Sequence, residues 1–277
     1  MKDKNKRKYS IGVFDSGFGG LQILKHIVKE LPQYDYVYLG DTARVPYGNR
    51  SQEVIYNFTT QAVDFLFKKD CQLIIFACNT ASSEALRKIQ REYLPKHYPD
   101  KKVLGIIMPA VEEAVSKTKN GIIGVIGTRG TVKSGAFERE LKKLDPKIKV
   151  FQKACSDLAM IVENGKHKSE KTKIILEKYL KSLVSKKIDA LILGCTHYGI
   201  MEKEIKNIIG NGIIIVSEEK VIAKKLKKYF QNHTEIENEL AKNRKCVFYS
   251  TDITEKFRIL GSKIFGKKIN PQIAKID

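Results

Sequence analysis

A chain of 277 residues is long enough for one large domain or two modest ones, each able to bury its own core. It is 42% hydrophobic and 30% charged, and no apolar run approaches the roughly 18 to 20 residues that cross a bilayer, so a soluble protein with no membrane partner is expected. The net charge of +20 admits nucleic acid or an anionic small molecule as partner, yet the lysines are scattered, with short clusters at 224–228 and 266–268 and no aromatic-interleaved basic stripe. No specific nucleic-acid partner is expected, and the surplus fits the bias of a Lys-, Ile- and Asn-rich composition.

The opening "MKDKNKRKYS" is basic and lacks the apolar segment of a signal peptide, from which a cytoplasmic location is expected. Apolar runs then alternate with helix-period segments: 9–14 before 21–31, 36–39 before 51–68, and 73–77 before 82–93. The alternation resumes with runs at 103–107, 122–126, 150–152, 190–193 and 213–216, and helical patterns at 109–117, 134–144, 169–185 and 201–209. Ser217 stands as N-cap of "EEKVIAKKLKKYF", and a run at 246–250 and a helix within 254–265 close the chain. Such β–α order predicts mainly parallel sheets flanked by helices.

The chain also echoes itself. "IGVFDSG" (11–17) resembles "IGVIGTRG" (123–130), and "LIIFACNTAS" (73–82) resembles "LILGCTHY" (191–198). Two similar α/β halves are expected, at 1–102 and 103–212, with 213–277 unassigned by pattern alone.

Five cysteines, at 71, 78, 155, 195 and 246, include no C-x-x-C pair and no zinc spacing, so neither disulfides nor a metal site is expected. The ordinary state of such a cysteine is a small buried hydrophobe. Cys78 and Cys195 differ because each ends an apolar run, where open α/β sheets bind ligands and a helix N-terminus favours thiolate. Asp15-Ser16 and Thr128 to Thr131 stand at comparable ends. Gly17 to Gly20 fails the dinucleotide fingerprint at Gln22, and 130–135 lacks the Lys-Ser/Thr pair of a P-loop, so no nucleotide cofactor is indicated. These glycines read as turn formers that let amides approach a ligand. Asp41 and Tyr47, in "GDTARVPYG", read alone as surface turn residues. His197 is expected to bond to substrate or a neighbour rather than to Cys195.

Taken together, "IGVFDSGFGGLQIL", "GDTARVPYG", "ACNTAS", "GVIGTRGTVKSGAF" and "LGCTHY" resemble the successive signatures of the glutamate racemases, within the cofactor-independent aspartate/glutamate racemase group. The resemblance implies two α/β domains facing each other across an active-site cleft, with the tail 213–277 returning to the first domain. It implies catalytic thiols at Cys78 and Cys195, acid/base helpers at Asp15, His197 and Glu163, and a substrate site lined by Asp15, Ser16, Tyr47, Gly48, Asn79, Thr80, Thr131, Thr196 and His197. One departure lies at Ser156, where the family carries proline ahead of Glu163.

The chemistry fits the echo. Inverting an α-carbon needs a base on one face and an acid on the other, and thiols, with a pKa of about 8.5, can serve as either near neutral pH. Main-chain N–H groups with Asn79, Thr80 and Thr196 would hold the α-carboxylate as charge develops on it. The expectation is an isomerase converting L- to D-glutamate for peptidoglycan, without a cofactor. Alternatives are another amino-acid racemase of the group, or more distantly a basic nucleic-acid-binding protein. Oligomeric state stays open, a homodimer included.

Overall fold

The computed structural model describes residues 8–276; the basic opening through Arg7 and the terminal Asp277 lie outside the described residues. Among the described residues, ten strands form two sheets. They are β1 (Ser10–Asp15), β2 (Tyr36–Gly40), β3 (Cys71–Phe76), β4 (Lys102–Gly105), β5 (Ile122–Gly127), β6 (Lys149–Ala154), β7 (Ala190–Gly194), β8 (Ile214–Val216), β9 (Cys246–Ser250) and β10 (Gln272–Ile273). The first sheet runs β10-β9-β2-β1-β3-β4 and the second β6-β5-β7-β8. Every pairing is parallel.

The second sheet therefore repeats the β2-β1-β3-β4 order of the first, with β5 in the place of β1 and β7 in the place of β3. Parallel strands need crossovers, and the crossover helices cover both faces, which is why central strands are apolar throughout rather than alternating. β1 is buried from Ile11 to Asp15, and β3 and β7 along their whole length. Helix Gln52–Lys68 covers one face of the first sheet through Ile55, Val63 and Leu66. On the other face Leu21, Leu24 and Ile27 of helix Gly20–Glu30 meet Ile222, Leu226 and Phe230 of helix Glu218–Asn232. The second sheet is covered by helices Ile107–Lys117 and Ala136–Leu144 on one side and Glu170–Val184 and Glu202–Ile209 on the other.

Several expected boundaries move. β4 straddles the expected break after residue 102 and belongs wholly to the first sheet, whereas β8 belongs to the second. The chain thus crosses back to the first unit at Ser217, after which β9 and β10 extend the first sheet. Ser217 holds the N-cap position but does not cap with its side chain; its hydroxyl donates to Glu202 Oε2 at 2.5 Å. The helix expected at 134–144 starts at Ala136, because Gly135 adopts φ +64° and separates it from a short helix, Arg129–Lys133. Among the described residues, no helix is long and apolar enough to cross a membrane.

Candidate active site

In each sheet the chain leaves the central strand in opposite directions, so the crevice for a ligand lies beyond the carboxyl ends of β1 and β3 and of β5 and β7. Those ends carry Asp15 and Ser16, Cys78 to Thr80, Thr128 to Thr131, and Cys195 to His197, and all of them but Arg129 are buried. The two thiols follow equivalent strands of the two sheets and are 5% and 7% exposed.

Their surroundings differ. Cys78 is the N-cap of helix Asn79–Glu84; its sulfur accepts from the Ala81 N–H at 3.5 Å and lies 3.3 Å from the Ser16 hydroxyl. Burial pushes this thiol up to about 12 and the charge of Asp15 adds to the rise, against the Ser16 and Ala81 hydrogen bonds, so at neutral pH Cys78 holds its proton. Cys195 instead opens a turn that brings His197 Nδ1 to 3.6 Å from its sulfur, and Nε2 of the same ring stands 3.2 Å from Glu163 Oε1. Burial acts to lower the His197 pKa, but the hydrogen bonds to Cys195 and Glu163 outweigh it and hold the ring well above the ordinary imidazole range. His197 thus stands within reach of both the Cys195 sulfur and the Glu163 carboxyl group.

Asp15 bridges the units. Its Oδ2 accepts from the Gly17 N–H at 3.0 Å, and the Thr196 hydroxyl donates to Oδ1 at 3.5 Å. Burial raises its pKa, against the neighbouring His197 charge. Where the two units meet, the Thr80 and Thr128 hydroxyls lie 3.0 Å apart and Thr131 stands 3.0 Å from Thr128. Tyr47 donates to Asp41 Oδ2 at 2.5 Å, and Gly48 packs on Thr128, where a β-carbon would come within 2.6 Å of the threonine's own. A groove of about 610 Å³, between Arg87, Gly105, Glu112, Arg139 and Tyr229, contains neither thiol.

Two buried sulfurs thus follow sister strands, one a thiol that holds its proton beside Ser16 and the other 3.6 Å from an imidazole nitrogen. A family model described as Asp/Glu/Hydantoin racemase matches residues 11–224. The chain belongs to that family. Among members of the racemase family, it is 41% identical to a glutamate racemase of Aquifex aeolicus over 95% of this chain and 96% of the relative. In solved structures it is similar to glutamate racemase isoform RacE1 of Bacillus anthracis, at a TM-score of 0.89 and 34% identity over 98% of this chain and 99% of that one. It is likewise similar to a glutamate racemase of Francisella tularensis in complex with D-glutamate, at a TM-score of 0.87 and 32% identity over 98% of both chains.

The expected residues of this racemase connect through short contacts: Ser16 with Cys78, Cys195 with His197 and on to Glu163, Asp15 with Thr196, Thr80 with Thr128 and Thr131, and Gly48 against Thr128, while Tyr47 turns to Asp41 and Asn79 to Glu218. Some readings change. His197 does reach Cys195, because the residues are two apart on a turn rather than neighbours on a strand. Asp41 is fully buried, held by Tyr47, by Arg44 at 2.7 Å and by Thr251 at 2.8 Å. Gly17 and Gly19 serve close contact between the units, since β-carbons there would come within 2.9 Å of Glu163 Oε1 and 2.4 Å of Thr196 Oγ1. Ser156 accepts from the Arg129 N–H at 3.0 Å, and Glu163 still reaches His197. Glu218, which the sequence offered only as one of two acids opening a helix, is a buried partner of Asn79.

Proposed function

We propose that this racemase is a glutamate racemase, interconverting L- and D-glutamate by proton transfer between Cys78 and Cys195 and supplying D-glutamate for peptidoglycan from the cytoplasm. The observation that carries the reading is the placement of the two thiols after equivalent strands of two sheets that share one strand order. With L-glutamate bound, the sulfur of Cys195 takes the α-proton, and the electron pair left on the α-carbon delocalises into the carboxylate. Cys78, already protonated, delivers its proton to the opposite face; the D to L direction exchanges the roles. His197 holds the proton displaced from Cys195, and Glu163 stabilises the resulting imidazolium. Thr80 and Thr196 hydroxyls, themselves buried, and main-chain N–H groups stabilise the developing carboxylate charge. Incubating the purified protein with L-glutamate and separately with L-aspartate, followed by chiral chromatography, tests the assignment. D-glutamate should form and D-aspartate should not; preferential turnover of aspartate, or none of either, would overturn it.

A further inference from the structure

Helix Glu218–Asn232 begins directly after β8 of the second sheet and packs on the first unit, so its first residue sits where the chain passes between units. Glu218 is 2% exposed, and Asn79, the residue after Cys78, donates from Nδ2 to Glu218 Oε2 at 2.6 Å. Two oxygens of this pair, Asn79 Oδ1 and Glu218 Oε1, are buried without a partner. Orphaned buried polar atoms are rare in folded proteins and ask for an explanation.

A side-chain amide has a donor end and an acceptor end of nearly identical shape, and its surroundings decide which way it points. The carboxyl acceptor of Glu218 turns Nδ2 toward itself and leaves Oδ1 as the end available to a ligand. An amide oxygen repels the carboxylates of glutamate and accepts from its α-ammonium group, which carries three donors and no acceptor. We propose that Glu218 is a positioning residue that holds Asn79 with Oδ1 presented to the substrate's α-ammonium group, beside the Cys78 thiol. This rests on the glutamate racemase reading. Burial drives the Glu218 carboxyl well above the ordinary carboxylate range, with the charges of Cys195, Glu219 and Asp15 adding to it against the Asn79 hydrogen bond. A neutral carboxyl keeps its acceptor without placing another negative charge beside the sulfurs.

The test compares Glu218→Gln with Glu218→Leu, measuring kcat and KM for both enantiomers and the melting temperature. Glutamine retains a carbonyl acceptor and the neutral state, so E218Q should stay within about threefold of wild type, whereas leucine fills the space without orienting the amide. E218L should raise KM by about tenfold or more, as for loss of a hydrogen bond to a charged group, with a smaller change in kcat. If E218L folds poorly, E218M carries the same comparison with an unbranched side chain. A leucine or methionine variant with unchanged KM, or a glutamine variant as impaired as leucine, overturns the proposal. A wild type inert to glutamate overturns the function itself, which separates the two failures.

Discussion

Replacing Glu163 with glutamine keeps the shape of the side chain and removes its charge from His197. The two side chains are 9% and 6% exposed and 3.2 Å apart, a separation at which unit charges attract by about 5 kcal/mol at an effective dielectric of about 20. Glutamine still accepts a hydrogen bond, so the loss should fall at the low end of the 3 to 5 kcal/mol typical of breaking a buried pair, about 3 kcal/mol. If that difference is felt in the transition state, kcat/KM drops roughly 100-fold. Mirror-image substrates have equal free energy in water, so kcat/KM must fall by the same factor in both directions. The pH profile should move as well. Burial pulls His197 down and its hydrogen bonds to Cys195 and Glu163 pull it up; without the Glu163 charge the imidazolium releases its proton at lower pH, and the corresponding limb shifts down. Circular dichroism followed from each enantiomer, across the neutral and alkaline range, measures both quantities. An E163Q enzyme within about threefold of wild type, with its limb unmoved, would refute the pairing as a working part of the site.

Replacing Cys78 or Cys195 with alanine should lower racemisation by about 100- to 10,000-fold, the usual cost of a lost general acid or base, and near-wild-type turnover in either variant would end the two-thiol assignment. In deuterium oxide the wild type should place deuterium in early product while recovered substrate keeps its hydrogen, by mass spectrometry of the separated enantiomers; equally fast early exchange into both pools contradicts two-base transfer. Stability should decline at alkaline pH. Burial raises the thiols of Cys71, Cys78, Cys155 and Cys246 from 9.0 to about 12, so between those values the folded chain holds protons that the unfolded chain has released. Their contribution is complete below 9 and is lost as pH rises toward 12. Urea midpoints taken through that interval should fall, and a flat series would show that these thiols are not protected by the fold.

The features legible in the sequence are those with local causes. Central strands such as Leu73 to Phe76 are covered on both faces and read as unbroken apolar runs, and the cysteines that end two of them mark the site without any knowledge of topology. β4 and β8 are short, and β4 opens on an exposed lysine, so the pattern around 102 and 213 does not show which sheet takes them. Asp41 looks like a turn residue because the threonine that helps bury it, Thr251, lies far along the chain. Glu218 is obscure for a similar reason: acids in a first helical turn are ordinary, and only the fold brings Asn79 to this one. The Cys195–His197 contact depends on a tight turn after β7, which adjacency in the sequence does not reveal.

The threonine hydroxyls and the bare α-carbon of Gly48 that join the two units have a consequence for any substrate held between them. Water can replace each of these hydroxyl contacts when the units part, so each adds only about 0.5 to 1.5 kcal/mol to the closed state. In water the two enantiomers have equal free energy, and burial keeps both sulfurs away from solvent. If protons move faster than these contacts open, a captured molecule changes hand many times before release and departs with little record of how it arrived. The number of molecules turned over per unit time is then governed by an opening rate set by threonines and a glycine rather than by sulfur, and slower opening scrambles each captured molecule more fully while delivering fewer of them.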